Sequence, residues 1–462
     1  PSFVISCDAA SGLKALEAGV RSVQENETDM MLVGAVDLAG DVRNMITANG
    51  LQTFTKGDRI SPFDSSSSGT LPGEGAGAVV IKKLDKAIED NDRIYAVIKG
   101  IGKAGTGSLD KDIRLKEAYS LSFERALKDA SLIPSDISYF EAHGSGDPLE
   151  DGIEIGVIDN FYKNSPARCA VGSVKPNIGH AGSASGIASL IKAVLCLYHE
   201  TIPPLLNFTE PNSRMESKLH FPAFTQFWYR DRIDGPRRAC TASMTRDGNC
   251  MHVLTEGYEY QDAARTPAKV LTERKMSLVC RKSGLFIVEG NSGKELLERL
   301  DLLSDSVDDS GSIHECGFKW FNNNKPDYSN KYALSIAAGD ISQLRKWITE
   351  AKIIVEANTC KKMNGLGGIC YSPTPLGNSK NTAFVFSGSG NHYIGMGRGT
   401  GIYFPEILRN MDAKTNRLKT QLVPEFFVPW RNSWKNGWDI DARDKISANP
   451  LNMIFGQVIY GG

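Results

Sequence analysis

The segment that most constrains the fold of this 462-residue chain is the stretch 183–198, SASGIASLIKAVLCLY. It is nearly all apolar and has the length of a helix, so we expect it to be buried on most of its sides. Before and after it, within residues 1–260, short apolar runs alternate with segments of helical spacing and with glycine-rich turns. This alternation predicts an α/β layered domain.

Four apolar runs in this region have strand length, and two segments repeat their apolar residues at helical spacing. The strands are predicted at 30–36, 77–81, 95–101 and 138–142. The helices are predicted over about four turns from Ser11 and over 115–132. The run at 30–36, MMLVGAV, is continuously apolar, which is typical of a buried strand.

The character of the chain changes after residue 260. A strand at 285–288, a capping box at 292–295 and a helix through Leu303 predict one α/β unit. A second unit follows the same order, with a strand at 332–338, a cap at Asp340 and a helix at 341–351. We therefore expect a small α/β connecting domain, followed from residue 381 by a new strand that ends in a glycine-rich turn.

Composition excludes several classes of protein. The chain has 53 basic and 54 acidic side chains and a net charge of −1, which argues against a nucleic-acid binder. No apolar run is long enough to span a membrane. The nine cysteines are scattered and form no C-x-x-C pair, so we expect no metal site, no disulfide framework and a cytoplasmic location. The length suggests roughly three domains.

Two histidines stand out because of their surroundings. His143 follows an apolar strand within the glycine-rich turn EAHGSG, and His180 lies five residues after Lys175, directly before the apolar helix. At strand ends beside a helix N-terminus, the two could converge on one site and donate hydrogen bonds to a carbonyl or a developing enolate. The alternative is that each is an ordinary core or surface histidine among the seven in the chain.

These two segments also carry a resemblance. Residues 141–155 and 171–197 resemble the two histidine motifs of β-ketoacyl synthases, the condensing enzymes of fatty acid and polyketide assembly. The stretches 61–80 and 202–212 resemble further motifs of that family, in the same order. The resemblance implies a thiolase-like layered α/β fold and catalytic roles for His143, Lys175 and His180. It also implies no bound cofactor, with substrates carried on the phosphopantetheine of an acyl carrier protein.

The position of the family's nucleophile is different here. The usual setting is Ala-Cys-Ser-Ser-Ser-Leu, and laying residues 1–13 against it without a gap puts Ala9 where the cysteine stands. The family's Phe-Gly-x-Gly-Gly gate is Met-Thr-Arg-Asp-Gly at 244–248, of which only Gly248 keeps its glycine. Retained histidines beside a lost nucleophile resemble chain-length-factor proteins, which pair with an active synthase and help shape its acyl pocket.

Later segments extend the resemblance. Residues 285–300 resemble the linker between synthase and acyltransferase domains, and residues 382–397 resemble the opening of malonyl/acyl transferases, with Ser389 at the usual Gln. No G-x-S-x-G elbow occurs in the chain. We predict three domains: 1–260, a synthase-like domain without its N-terminal portion; 261–380, the linker; and 381–462, the first part of a transferase. The order most resembles polyunsaturated-fatty-acid synthase multienzymes, and Pro1 and Gly462 are expected to be breakpoints.

Three hypotheses remain open at this point. In the first, the chain is a chain-length-factor-like partner of an active ketosynthase, and its retained histidines still bind malonyl or acyl thioesters and promote decarboxylation. In the second, it is a condensing enzyme that uses Cys7 or Ser11 as nucleophile. In the third, it is a purely structural heterodimer partner. The predicted partners are an acyl carrier protein and an active ketosynthase domain in a dimer-type association.

Overall fold

The chain forms two compact units in a computed structural model. One unit comprises Pro1–Met276 with Ser387–Gly462, and the other comprises Ser277–Phe386. The structure describes residues 2–38, 40–106, 112–165, 168–212, 219–260, 266–275, 283–327, 329–357, 363–376, 393, 395–422, 440, 443–444, 447–448 and 450. The predicted opening of the transferase, 382–397, falls largely outside these residues. The predicted domain boundaries at 260 and 380 stay a prediction.

The first unit contains strands β1 to β10 and helices α1 to α8, followed near the C-terminal end of the chain by α12 to α14. Its strands are β1 (Met30–Asp37), β2 (Gly75–Lys82), β3 (Val97–Gly105), β4 (Tyr139–Glu141), β5 (Cys169–Gly172), β6 (Thr201–Ile202), β7 (Leu219–His220), β8 (Gln226–Phe227), β9 (Arg238–Met244) and β10 (Asn249–Glu256). Its helices are α1 (Ser11–Gln24), α2 (Val42–Leu51), α3 (Leu84–Glu89), α4 (Asp112–Ala130), α5 (Pro148–Tyr162), α6 (Lys175–Ile178), α7 (Ser185–His199), α8 (Ala268–Lys275), α12 (Arg398–Tyr403), α13 (Pro405–Lys414) and α14 (Leu418–Leu422).

The centre of this unit is a six-stranded mixed sheet in the order β3-β10-β9-β4-β5-β7. Strands β3, β10 and β9 are antiparallel, whereas β9, β4, β5 and β7 run parallel. Helices α4 and α5 cover one face through a core that includes Phe123, Phe140 and Ile158. Helices α1 and α7 lie against β10 in a second core, together with β1. The prediction of a layered α/β fold is confirmed for this part of the chain.

The apolar helix predicted at 183–198 is present as a short 3-10 turn followed by α7. Its side chains enter two cores: Ile187 and Leu190 pack with α1, β1 and β10, while Ala193 and Leu197 pack with β4, β5 and β9. A helix that contacts elements on several sides needs apolar residues around most of its circumference. This explains why the segment shows so little polar character.

The strand β1 differs in burial from its prediction. Its residues alternate, so that Met31, Val33 and Ala35 pack with α1 and α7, whereas Leu32 and Val36 are 71% and 59% exposed. Side chains of a strand point to opposite faces with a period of two. Among the described residues β1 pairs with β2 alone. The prediction of a buried strand is therefore confirmed for one face of β1 and wrong for the other.

The second unit is an α/β layer of its own. Its antiparallel sheet has the order β11-β12-β14-β13, and three helices pack on it through a core that includes Leu296, Trp320 and Leu344. The strands are β11 (Gly284–Gly290), β12 (Tyr332–Ala338), β13 (Met363–Leu366) and β14 (Ile369–Ser372), and the helices are α9 (Gly293–Ser306), α10 (Ile313–Asn323) and α11 (Ile341–Glu356). The side chains of Ser292 and Asp340 accept from the N–H groups of Glu295 and Gln343, as the predicted caps require.

The helix α13 packs within the first unit. Leu408 enters a small core with Phe227 and Tyr229. Asp412 lies 3.1 Å from the guanidinium of Arg230 and 3.2 Å from that of Arg232. Among the described residues, no helix is long and apolar enough to cross a membrane.

Candidate active site

A cavity of about 160 Å³ lies where the loop before α1 meets the ends of β4 and β9. A water molecule needs only about 10–15 Å³ of such space, so the cavity holds several waters or a short acyl group. Ala9, His143 and His180 all line it, together with Met244 and Arg246. Three of the four predicted site residues thus border one space, and the fourth, Lys175, lies directly behind His143.

Ala9 reaches the cavity because of the turn that precedes α1. Residues Asp8–Ala10 form a 3-10 turn, and the hydroxyl of Ser11 both accepts from the N–H of Cys7, at 2.8 Å, and donates to the carbonyl of Asp8, at 2.7 Å. Ser11 is thereby used to close the turn. The wall of the cavity at this point carries a methyl group, with no nucleophilic atom.

Cys7 is placed differently. It packs beside the core of α1 and α7 and is absent from the described residues that line the cavity. Burial raises the pKa of its thiol, and the carboxylate of Asp247 raises it further. A thiol with a raised pKa is a poor nucleophile at neutral pH, because the thiolate is the reactive form.

His143 is held by the turn after β4. Its backbone N–H and that of Gly144 each donate to the carboxylate of Glu154 at 2.8 Å, and the hydroxyl of Tyr119 donates to the same carboxylate. Burial raises the pKa of Glu154, and these three hydrogen bonds oppose the rise. Glu154 on α5 therefore fixes the loop that carries the histidine.

Both imidazoles accept a backbone hydrogen bond at the same ring nitrogen. The backbone N–H of Met244 donates to Nδ1 of His143 at 3.2 Å, and the N–H of Gly182 donates to Nδ1 of His180 at 3.2 Å. An Nδ1 that accepts a hydrogen bond leaves the proton of a neutral imidazole on Nε2. The two ring centroids are 5.5 Å apart. Each ring thus has an Nε2–H available as a donor.

Lys175 adds to the effect of burial on the charge of this pair. Its side chain is buried, its Nζ donates to the carbonyl of His143, and the same Nζ lies 3.3 Å from Nδ1 of that residue. Burial lowers the pKa of Lys175 to about 8, although Glu154 and Glu141 act in the opposite direction. Burial first, and then the charge of Lys175, lower the pKa of His143 and bring that of His180 to about 3. Both imidazoles are therefore neutral near pH 7.

The turn at 244–248 closes the far side of the cavity. Arg246 donates from Nε to Oδ2 of Asp8 at 3.1 Å and from Nη2 to Oδ1 at 3.0 Å. Burial opposes ionisation of Asp8, but the hydrogen bonds and charge of Arg246 lower its pKa overall. The turn itself is tied by Asn249, whose N–H donates to the hydroxyl of Thr245 at 2.8 Å.

Sequence reasoning missed three contributors to the site. Asp8 adjoins the nucleophile position, Glu154 holds the His143 loop, and the carboxylate of Glu150 lies 4.0 Å from Nε2 of His143. Arg246 was noted only as part of the segment that replaces the glycine gate, although a charged residue in that segment was a usable signal. No group of His, Cys, Asp and Glu among the described residues could hold a metal ion.

Comparisons with known proteins bear on the part of the chain that forms this site. Residues 1–87 match the family model described as the N-terminal domain of β-ketoacyl synthase, and residues 95–209 match that of its C-terminal domain. Residues 1–209 belong to the β-ketoacyl synthase family. This β-ketoacyl synthase domain contains Ala9, His143, Lys175 and His180, whereas the turn at 244–248 lies beyond the matched residues.

Relatives and solved structures indicate the polyketide synthase type. A phenolphthiocerol/phthiocerol polyketide synthase of Mycobacterium tuberculosis is 30% identical over 413 residues, covering 86% of this chain and 18% of that protein. The phthioceranic/hydroxyphthioceranic acid synthase of the same organism is 27% identical over 410 residues, with the same two coverages of 86% and 18%. The ketosynthase from module 6 of the bacillaene synthase of Bacillus subtilis 168 matches with a TM-score of 0.53 at 27% identity, covering 80% of this chain and 61% of that chain.

The β-ketoacyl synthase domain thus has the mixed α/β, thiolase-like fold that its motifs predict. The chain spans 18% of the length of each of these two curated relatives. It covers 61% of the bacillaene ketosynthase.

Proposed function

We propose that the β-ketoacyl synthase domain is a non-condensing, chain-length-factor-like partner in a polyketide or fatty acid synthase. The observation that carries the proposal is the methyl group of Ala9 at the wall of the cavity beside His143 and His180. Alanine cannot accept an acyl group, whereas the two imidazoles keep the protonation state that a thioester needs. The domain binds an acyl thioester but does not become acylated.

The two histidines act on the carbonyl of that thioester. A carbonyl oxygen placed between the two Nε2–H donors receives two hydrogen bonds, as in an oxyanion hole. Lys175 supports this arrangement from behind, since its charge disfavours protonation of both rings. A neutral imidazole donates without changing the charge of the cavity.

A second candidate function follows from the same donors. A malonyl thioester bound there could lose CO₂: the bond between the carboxylate and the α-carbon breaks, and its electron pair passes into the enolate of the thioester. The two Nε2–H donors stabilise the enolate oxygen, and protonation of the α-carbon then gives the acetyl thioester. This activity needs no residue at the position of Ala9.

Specific contacts argue against the two alternatives, a condensing enzyme and a purely structural partner. A condensing enzyme would need Cys7 or Ser11 as nucleophile, but Ser11 closes the turn before α1 and the pKa of Cys7 is raised. A purely structural partner would not need the hydrogen bonds that keep both Nδ1 atoms as acceptors.

The wider assembly belongs to the proposal as well. The relatives are polyketide synthases, so substrates would arrive on the phosphopantetheine of an acyl carrier protein. An active ketosynthase domain would be the dimer-type partner. Residues 381–462 would begin a malonyl/acyl transferase domain of a multienzyme, of the polyunsaturated-fatty-acid type that the domain order suggests.

The test combines two readouts on the full-length chain. Incubation with malonyl and acetyl carrier protein should give no acyl-enzyme by mass spectrometry. It should give acetyl carrier protein from malonyl carrier protein, in a yield that drops in His143→Ala and His180→Ala. An acyl group found on Cys7 or Ser11 would establish the condensing alternative. Equal yields in wild type and both variants would favour a purely structural role.

A further inference from the structure

The cavity is lined by more negative than positive groups. Among its described lining residues are four carboxylates, Asp8, Asp37, Glu74 and Glu150, and a single guanidinium, that of Arg246. The two imidazoles are neutral near pH 7, and Lys175 does not line the space. Among the described lining residues, the guanidinium of Arg246 is therefore the one cationic group that an anionic ligand can contact.

Arg246 already holds a carboxylate in the way an incoming one would be held. Its Nε and Nη2 donate to the two oxygens of Asp8 at 3.1 and 3.0 Å. This two-point arrangement is the geometry by which a guanidinium recognises a carboxylate of any origin. The backbone N–H of Arg246 adds a long contact to the same group at 3.4 Å.

The pair is open to exchange. The side chains of Arg246 and Asp8 are 32% and 30% exposed, and ion pairs that remain in contact with water contribute little net stability. Asp8 has a φ of +43°, a backbone conformation that Asp and Asn tolerate better than most residues. Exchange requires the side chain of Asp8 to turn away from Arg246.

The backbone of Arg246 belongs to a closed turn. The N–H of Thr245 donates to the carbonyl of Asn249 at 2.9 Å, the N–H of Gly248 donates to the carbonyl of Thr245 at 3.0 Å, and the hydroxyl of Thr245 donates to Asp247. Gly248 adopts a φ of +81°, and a Cβ there would lie 2.2 Å from Oγ1 of Thr106. The turn thus fixes the backbone of Arg246 beside the cavity.

We propose that Arg246 is a specificity-determining residue that receives the free carboxylate of a malonyl-type thioester in exchange for that of Asp8. The inference rests on the proposed function, since it assumes that a thioester occupies the cavity. It names the class of acyl group: one with a second carboxylate, in preference to a neutral chain. Asp8 is the internal competitor for the same site.

The test measures binding of two non-reactive probes to the full-length chain by calorimetry. The probes are the amide analogues of malonyl-pantetheine and acetyl-pantetheine, which differ only in the carboxylate. We expect Arg246→Gln to weaken the malonyl probe about tenfold or more while leaving the acetyl probe within about twofold. Asp8→Asn keeps the backbone conformation and removes the competitor, so it should tighten the malonyl probe about threefold.

The two variants are expected to change the affinity for the malonyl probe in opposite directions. This distinguishes the proposal from a simple widening of the cavity. If breaking the ion pair only widened the entrance, both variants would strengthen both probes, and the inference would be overturned. It would also be overturned if Arg246→Gln left malonyl binding unchanged while the acetyl probe still bound. Failure of both probes to bind the wild-type chain would contradict the proposed function itself, and this inference with it.

Discussion

The backbone N–H of Met244 points at Nδ1 of His143 across 3.2 Å, so the last residue of β9 sets which nitrogen of the histidine carries the proton. We expect both His143 and His180 to be neutral near pH 7 with the proton on Nε2, because burial lowers the pKa of both rings. Long-range proton–nitrogen correlation spectra of the labelled chain report this directly. A titration of either ring near pH 6.5 would contradict the assignment.

Acid should destabilise the first unit through its buried histidines. Burial lowers the pKa of His252 from its ordinary 6.5 to about 3. The folded pKa is lower than the unfolded one, so between these values the unfolded chain binds a proton that the folded chain does not, and stability falls as pH falls. His252→Phe should reduce the slope of unfolding free energy against pH, between pH 6 and 4, by about 1.4 kcal/mol per unit.

Urea denaturation at a series of pH values measures this slope. Above pH 7.5 the wild-type and variant slopes should coincide, because the imidazole is then neutral in both states. The ring of His252 packs among Tyr119, Phe123 and Phe140, so phenylalanine fits the space. The substitution removes the hydrogen bond between Nδ1 and the hydroxyl of Ser122, but that hydroxyl still donates to the carbonyl of Tyr119. An unchanged slope below pH 6 would mean that His252 titrates normally in the fold.

Replacing Ala9 by cysteine should create a reactive thiol. The new side chain would stand at the cavity beside His143 and His180 and just before the N-terminus of α1, where the helix dipole favours a thiolate. In Ala9→Cys we expect iodoacetamide to label residue 9 at pH 7 while Cys7 stays unmodified. Peptide mapping by mass spectrometry gives the position, with Cys7→Ser in both backgrounds as the control.

Loss of the buried carboxylate of Glu154 should lower stability more than loss of an exposed carboxylate. In Glu154→Gln the amide NH₂ faces one of the N–H groups of His143 and Gly144 whichever way it turns, so a buried donor loses its acceptor at a cost of about 2 kcal/mol. The matched control is Glu117→Gln on α4, whose side chain is exposed. Calorimetry of both variants checks the difference, and equal melting temperatures would refute it.

Substitution of two glycines by alanine should change the stability of the chain in opposite directions. A Cβ at Gly102 would lie 1.9 Å from the carbonyl oxygen of Ser122 and 2.4 Å from the N of Ala126. Gly102→Ala therefore forces β3 away from α4 and should cost about 3 kcal/mol or more. A Cβ at Gly152 in α5 meets nothing within 4 Å, so Gly152→Ala should stabilise the chain by about 0.5–1 kcal/mol. Thermal unfolding of the two variants should shift in opposite directions.

Local patterns predicted those elements whose apolar spacing is strong. The helix from Ser11 and the apolar helix before Tyr198 are confirmed as α1 and α7, because a helix packed in a core must repeat at 3.6 residues. The helix α10 was missed, although its buried residues Ile313, Cys316 and Trp320 fall at helical spacing. The exposed Phe318 and Phe321 blur the apolar face that this spacing would otherwise reveal.

The contacts within the site also differ in how far the sequence could predict them. The convergence of His143 and His180 was predicted, since each lies in a glycine-rich turn beside a strand or helix. The ion pair between Asp8 and Arg246 joins residues 238 positions apart. Its partners meet only because β9 and the loop before α1 approach each other in the folded chain. The contacts of Glu154 with the His143 loop depend in the same way on how α5 packs.

The turn that carries Arg246 also begins at Met244, the residue whose N–H orients His143. One short stretch of chain therefore positions both a charged and a neutral group around the same space, without waiting for a ligand. A ligand that enters this cavity meets residues that are already in place. In the proposed exchange, the side chain of Asp8 is the one group that must move. Entry should then follow simple one-step kinetics, with an observed rate that rises linearly with ligand concentration.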